Sequence, residues 1–131
     1  MIAPTPAPPV ESRVVLIDDD PAIHALVAAM LKPMGARIVS AMCGEEGLDA
    51  IRQQTPDLVL LDNDMPGVRG IEVLERIKGD PSMSMVPVII ETGSESNSVL
   101  SACFAAGAVD YIRKPFTSAE LRARVGSVLE R

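Results

Sequence analysis

The sequence predicts an α/β protein: a doubly wound parallel sheet with helices on both faces, forming a three-layer sandwich. Two observations carry this. From Arg13 onward, short apolar segments alternate five times with longer helix-patterned ones, and a strand–helix repeat is the signature of a parallel sheet. The strand candidates LVLL (58–61) and PVII (87–90) are also continuously apolar, as strands covered on both faces are.

The elements follow in order. Residues 1–12 are rich in Pro and Ala and read as a flexible tail ahead of a domain spanning 13–131. RVVLID (13–18) is a short buried strand. Asp20 then caps a helix with Pro21 at its first position, and AIHALVAAMLK runs on towards Gly35. ARIVSA (36–41) is the second strand, and GEEGLDAIRQQ (44–54) is a helix that stops before Pro56. DLVLLD (57–62) is the third strand. GIEVLERIKG (70–79) is a helix whose apolar side is Ile71, Val73, Leu74 and Ile77. VPVIIET (86–92) is the fourth strand, and SNSVLSACFAAG (96–107) is a helix closed by Gly107. VDYIR (109–113) and SAELRARVGSVLE (118–130) complete the set. Right-handed crossovers leave few topologies, and ligands of such sheets sit at the carboxyl ends of the strands.

Bulk properties exclude several classes. The chain has 131 residues, enough for one domain with a real core. Aromatic residues make up only 2%, so aliphatic side chains must fill that core. A formal net charge of −6, with no basic stripe, argues against direct nucleic-acid binding, which rests on phosphate neutralisation. No apolar run approaches the ~18 residues of a membrane span, and MIAPTPAPP lacks the basic start of a signal peptide. Cys43 and Cys103 have no metal-binding or redox spacing and read as reduced thiols of a cytoplasmic protein.

Polar residues gather at one edge of the expected sheet. The first strand runs into Asp18, Asp19 and Asp20, the third into Asp62, the fourth into Thr92 and the fifth into Lys114. Each has an ordinary reading alone: Asp20 as a cap, Asp64 as a turn former before Pro66 and Gly67, Thr92 as packing, Lys114 as a solvated charge. Their joint placement points to a site. Crowded carboxylates repel, and a hard divalent cation with oxygen ligands, such as Mg²⁺, relieves that repulsion. His24 lies within the first helix and reads as a surface or half-buried residue. A carboxylate beside Mg²⁺, a lysine and a hydroxyl suit phosphoryl transfer, with Asp as the attacking group.

LIDDDP, LVLLDNDMPG, PVIIETGS and DYIRKPF together resemble the response-regulator receiver domain of two-component signalling, over about residues 13–131. The resemblance implies a flavodoxin-like (βα)5 fold with strand order 2-1-3-4-5. It implies Asp62 as phosphoacceptor, supplied by a sensor histidine kinase or histidine phosphotransfer protein. Asp19 matches the direct Mg²⁺ ligand, with Asp18 beside it, Asp62 itself, and the backbone carbonyl of Asp64 completing the protein ligands. Thr92 and Lys114 match the hydroxyl and the cation that contact the phosphoryl group. Tyr111 matches a switch aromatic, and Lys114–Pro115 a peptide that is often cis. The family's output face implies a homodimer mate or output partner on the fourth helix, fifth strand and fifth helix, roughly Ser96 to Arg131. Such a chain is no enzyme beyond catalysing its own phosphorylation and dephosphorylation. Two departures stand out. Glu91 occupies a usually apolar position and needs a partner, a proton or the rim. Asp64 puts an acid at a position that tunes phosphoryl lifetime.

Three rivals compete. Asp62-x-Asp64 mimics the signature of haloacid-dehalogenase-class phosphatases, but there that motif follows the first strand and the acidic pair comes late. A nucleotide-binding flavodoxin-like protein needs a phosphate loop after the first strand, and DDDP is its electrostatic opposite. A receiver-like binding module that is not phosphorylated keeps the fold, but would have no need of the full set of acids, Thr92 and Lys114.

Overall fold

The computed structural model describes residues 11–67, 69–93 and 97–130. The chain order is β1 (Ser12–Ile17), α1 (Pro21–Leu31), β2 (Ala36–Ala41), α2 (Gly44–Gln53), β3 (Leu58–Asp62), α3 (Gly70–Gly79), β4 (Val88–Thr92), α4 (Asn97–Ala105), β5 (Asp110–Arg113) and α5 (Ser118–Leu129). All strand pairs are parallel, in the order β2-β1-β3-β4-β5. This is the expected doubly wound sheet.

The sheet separates two cores, and strand alternation decides which side chain enters which. Val15, Ile17, Val59, Leu61, Val88 and Ile90 pack against α2, α3 and α4 through Leu48, Ile51, Leu74, Ile77 and Cys103. Val14, Leu16, Leu58, Leu60, Ile89 and Ile112 pack against α1 and α5 through Val27, Leu31, Leu121 and Val125. β3 and β4 are buried along their whole length. At about 25 cal/mol per Å² of apolar surface, burial of this kind is the main stabilising contribution.

Element ends shift where local chemistry demands it. Ser12, which composition places in the tail, opens β1 and pairs with Ala36; the tail's residues 1–10 lie outside the described residues. Asp20 caps α1 as expected, accepting the Ala22 N–H at 3.0 Å. α1 stops at Leu31 because Pro33 cannot donate to the preceding turn; a 3-10 turn (Lys32–Met34) follows, ended by Gly35 at φ 72°. β4 begins at Val88, after Pro87. The Lys114–Pro115 peptide is cis.

Candidate functional site

β1, β3, β4 and β5 end side by side, and their last residues meet. Asp62 closes β3 and is 2% exposed, while Asp18, just past β1, is fully buried. Asp19 stands exposed at the rim. One carboxylate oxygen from each of the three lies within 4.8 Å of the others. Lys114 follows β5, and its Nζ donates to Asp62 Oδ1 at 2.9 Å and reaches Asp18 Oδ2 at 3.5 Å. Thr92 closes β4, fully buried, and its carbonyl accepts the Lys114 N–H at 2.9 Å.

The loops hold these acids in place. The Asp20 N–H donates to Asp18 Oδ1 and the Asp64 N–H to Asp62 Oδ1, each at 2.9 Å. The Asp64 carboxylate leaves the acid group: its Oδ2 accepts the Gly93 N–H at 2.7 Å, tying the loop after β3 to the loop after β4. Asn63 Oδ1 accepts the Ile71 N–H at 3.2 Å and joins the loop after β3 to the start of α3.

Burial raises the Asp18 pKa above the ordinary carboxylate value and the charge of Asp62 adds to it; the Asp20 amide and Lys114 oppose this. Burial alone would lower the Lys114 pKa, but its bond to Asp62 and the charges of Asp62 and Asp18 outweigh it and hold the ammonium above the ordinary lysine value. Glu91, paired in register with Asp62, is fully buried, and among the described residues neither of its carboxylate oxygens has a hydrogen-bond partner. Burial, reinforced by Asp18 and Asp62 and opposed by Lys114, pushes its pKa up to about 8. Of the three resolutions open to Glu91, the structure favours a proton.

Two side chains matter more than their sequence positions suggest. His24, expected at or near the surface, is 8% exposed, because the phase of α1 turns its ring back beneath the loop after β1; Nε2 lies 2.8 Å from the Asp18 carbonyl. Asp64, in the turn after β3, also joins segments 29 residues apart through its carboxylate tether to Gly93. Tyr111 on β5 is half-buried, edge-on to Phe104 of α4 with ring centroids 5.9 Å apart, and 5.3 Å beneath the Arg124 guanidinium of α5.

The group of Asp18, Asp19 and Asp62 offers only hard oxygen donors, contains neither His nor Cys, and crowds negative charge. That chemistry fits Mg²⁺.

The model of the response regulator receiver domain matches residues 14–126. The chain belongs to the response regulator receiver domain family. This receiver domain is 37% identical over 117 residues to the transcriptional regulatory protein AfsQ1 of Streptomyces coelicolor, covering 89% of this chain and 51% of AfsQ1. It is 33% identical over 119 residues to the phosphate regulon transcriptional regulatory protein PhoB of Rhizobium meliloti, covering 91% of this chain and 52% of PhoB. It thus spans about half the length of the curated relatives it matches. Among solved structures, the receiver domain of sensor histidine kinase PA1611 from Pseudomonas aeruginosa, crystallised with a magnesium ion coordinated in its active site cleft, matches with a TM-score of 0.83. That match has 25% identity and covers 93% of this chain and all of that one. Among the described residues of this receiver domain, no helix is long and apolar enough to cross a membrane.

Proposed function

We propose that this receiver domain takes a phosphoryl group onto Asp62 from the phosphohistidine of a sensor histidine kinase or histidine phosphotransfer protein. The observation that carries this reading is the setting of Asp62: its carboxylate lies within 4.8 Å of Asp18 and Asp19 oxygens and accepts from Lys114 at 2.9 Å. The side chains of Asp18, Asp19 and Asp62, with the Asp64 carbonyl, would hold Mg²⁺, which would offset charge on the phosphoryl oxygens.

The protein's own groups account for the rest of the step. An Asp62 oxygen attacks phosphorus, a P–O bond forms, and the P–N bond to the donor imidazole breaks. Lys114, fixed at the acceptor by its bond to Asp62, passes to a phosphoryl oxygen as the carboxylate becomes an acyl phosphate. The buried Thr92 hydroxyl donates to another. The movement of Thr92 opens space for Tyr111 to turn inward, and the two conformations differ in the face of α4, β5 and α5 offered to a second copy or an output partner. The chain turns over no external substrate.

Incubation with acetyl phosphate and intact-mass measurement tests this. The expected result is one added phosphoryl group, dependent on Mg²⁺ and missing in Asp62→Asn. Equal labelling of that variant would overturn the assignment.

A further inference from the structure

His24 holds the peptide that aims Asp19. β1 ends at Ile17, and the Asp18 N–H is taken by the Ala41 carbonyl at 3.1 Å. The Asp18 carbonyl lies beyond the strand ladder on a fully buried residue, and a buried carbonyl needs a donor. His24 Nε2 supplies one at 2.8 Å from the first full turn of α1. The acceptor is a carbonyl, so Nε2 carries the hydrogen. Among the described residues Nδ1 has no hydrogen-bond partner, so Nε2 makes the ring's hydrogen bond.

This contact reaches further than one bond. The Asp18 C=O and the Asp19 N–H belong to the same planar peptide. Fixing that plane fixes the Asp19 N–Cα bond, and the Asp20 N–H bond to Asp18 Oδ1 holds the next peptide, so the two contacts together set the direction in which the Asp19 side chain leaves the backbone. Asp18 and Asp62 have further restraints on their carboxylates, from the Asp20 and Asp64 amides and from Lys114. Among the described residues, no hydrogen bond anchors the exposed Asp19 carboxylate. Its position therefore depends on its backbone, and the backbone there depends on His24.

We infer that His24 is a positioning residue, clamping the Asp18–Asp19 peptide so that Asp19 is aimed at the cation position beside Asp62. This rests on the function proposed above. The chemistry that recognises the arrangement is that of a hard divalent cation. Groups that orient metal ligands from behind typically change metal affinity by 10- to 100-fold when removed.

The test compares His24→Leu, which keeps apolar bulk and loses the donor, with His24→Gln, whose amide nitrogen reaches about as far as imidazole Nε2. Two quantities are read: the Mg²⁺ dissociation constant by calorimetry, and the Asp19 backbone amide shift by NMR in Mg²⁺-free buffer. Thermal melts confirm folding, and His24→Met repeats the test if the leucine variant does not fold. The expected result is a dissociation constant raised about tenfold in His24→Leu and a displaced Asp19 amide, with both returning towards wild type in His24→Gln. Wild-type affinity and an unmoved Asp19 amide in His24→Leu would overturn the inference. So would equal losses in the leucine and glutamine variants, which would assign His24 to packing. Absence of Mg²⁺ binding by the wild type would overturn the proposed function instead, and the Asp19 amide would then decide the clamp alone.

Discussion

Lys114 Nζ bridges two carboxylates, donating to Asp62 Oδ1 at 2.9 Å and standing 3.5 Å from Asp18 Oδ2. The acids are almost wholly buried, whereas the lysine side chain is 24% exposed, so the pairing is only partly screened by water. Lys114→Met leaves both acids without their cation. The expected loss in metal-free buffer is about 1–3 kcal/mol, below the range for fully buried pairs because of that exposure. Millimolar Mg²⁺ should restore part of it. Denaturant melts with and without the metal check this; a variant as stable as wild type without Mg²⁺ contradicts it.

Glu91 should make stability depend on pH. Its folded-state pKa of about 8 lies above the ordinary value of 4.5, so the folded state holds the proton more tightly than the unfolded chain does. Its contribution to stability is therefore complete below the unfolded value and is lost as pH rises through the folded one. Glu91→Gln keeps the shape and removes the proton. Its stability relative to wild type should rise from roughly pH 5 to pH 8 by on the order of 1–3 kcal/mol. A constant difference across that range would show that Glu91 does not titrate this way.

Gly70 opens α3 against the loop after β3. A Cβ there would lie 2.6 Å from both the Asp62 carbonyl oxygen and the Asn63 Cα, and backbone atoms have little room to yield. Gly70→Ala should therefore push α3 away from Asp62, with a destabilisation of about 1–3 kcal/mol and slower labelling by acetyl phosphate. Thermal melts and labelling time courses check both. Normal labelling with unchanged stability would mean that the loop accommodates the methyl group.

The sheet and the acid edge were legible because β1 and β3 end in uninterrupted apolar runs, so the first polar residue after each, Asp18 and Asp62, marks a strand end. Thr92 and Lys114 come one residue later, behind Glu91 and Arg113, at the ends of shorter apolar segments. The contacts that steady them do not. His24 reaches back to Asp18 only because the Asp20 cap and Pro21 set the phase of α1, and a lone histidine in a helix carries no mark of that. The Asp64 tether depends on two loops of different strands lying together. Glu91 drew notice as an acid in an apolar run, but its burial follows from register: by period-two alternation it shares a sheet face with Ile89, under α1 and α5.

Tyr111 reports on the proposed switch. Its ring is wedged between Phe104 and Arg124, so any inward turn breaks the edge-on contact at 5.9 Å. Adding beryllofluoride with Mg²⁺ should shift the Tyr111 ring resonances and the α4 amides in NMR spectra. Phe104→Ala should weaken the resting ring position and move the apo spectrum towards the beryllofluoride one. Changes confined to residues around Asp19, Asp62 and Lys114, with α4 and Tyr111 silent, would contradict the switch.

The most direct test of Asp62 as acceptor is chemical trapping of the phosphorylated residue. Borohydride reduces an acyl phosphate on aspartate to homoserine, which peptide mass spectrometry can place. After acetyl phosphate and Mg²⁺, homoserine is expected at position 62 and at no other aspartate. Homoserine at Asp18, Asp19 or Asp64 instead, or none in protein that carries a phosphoryl group, would contradict it.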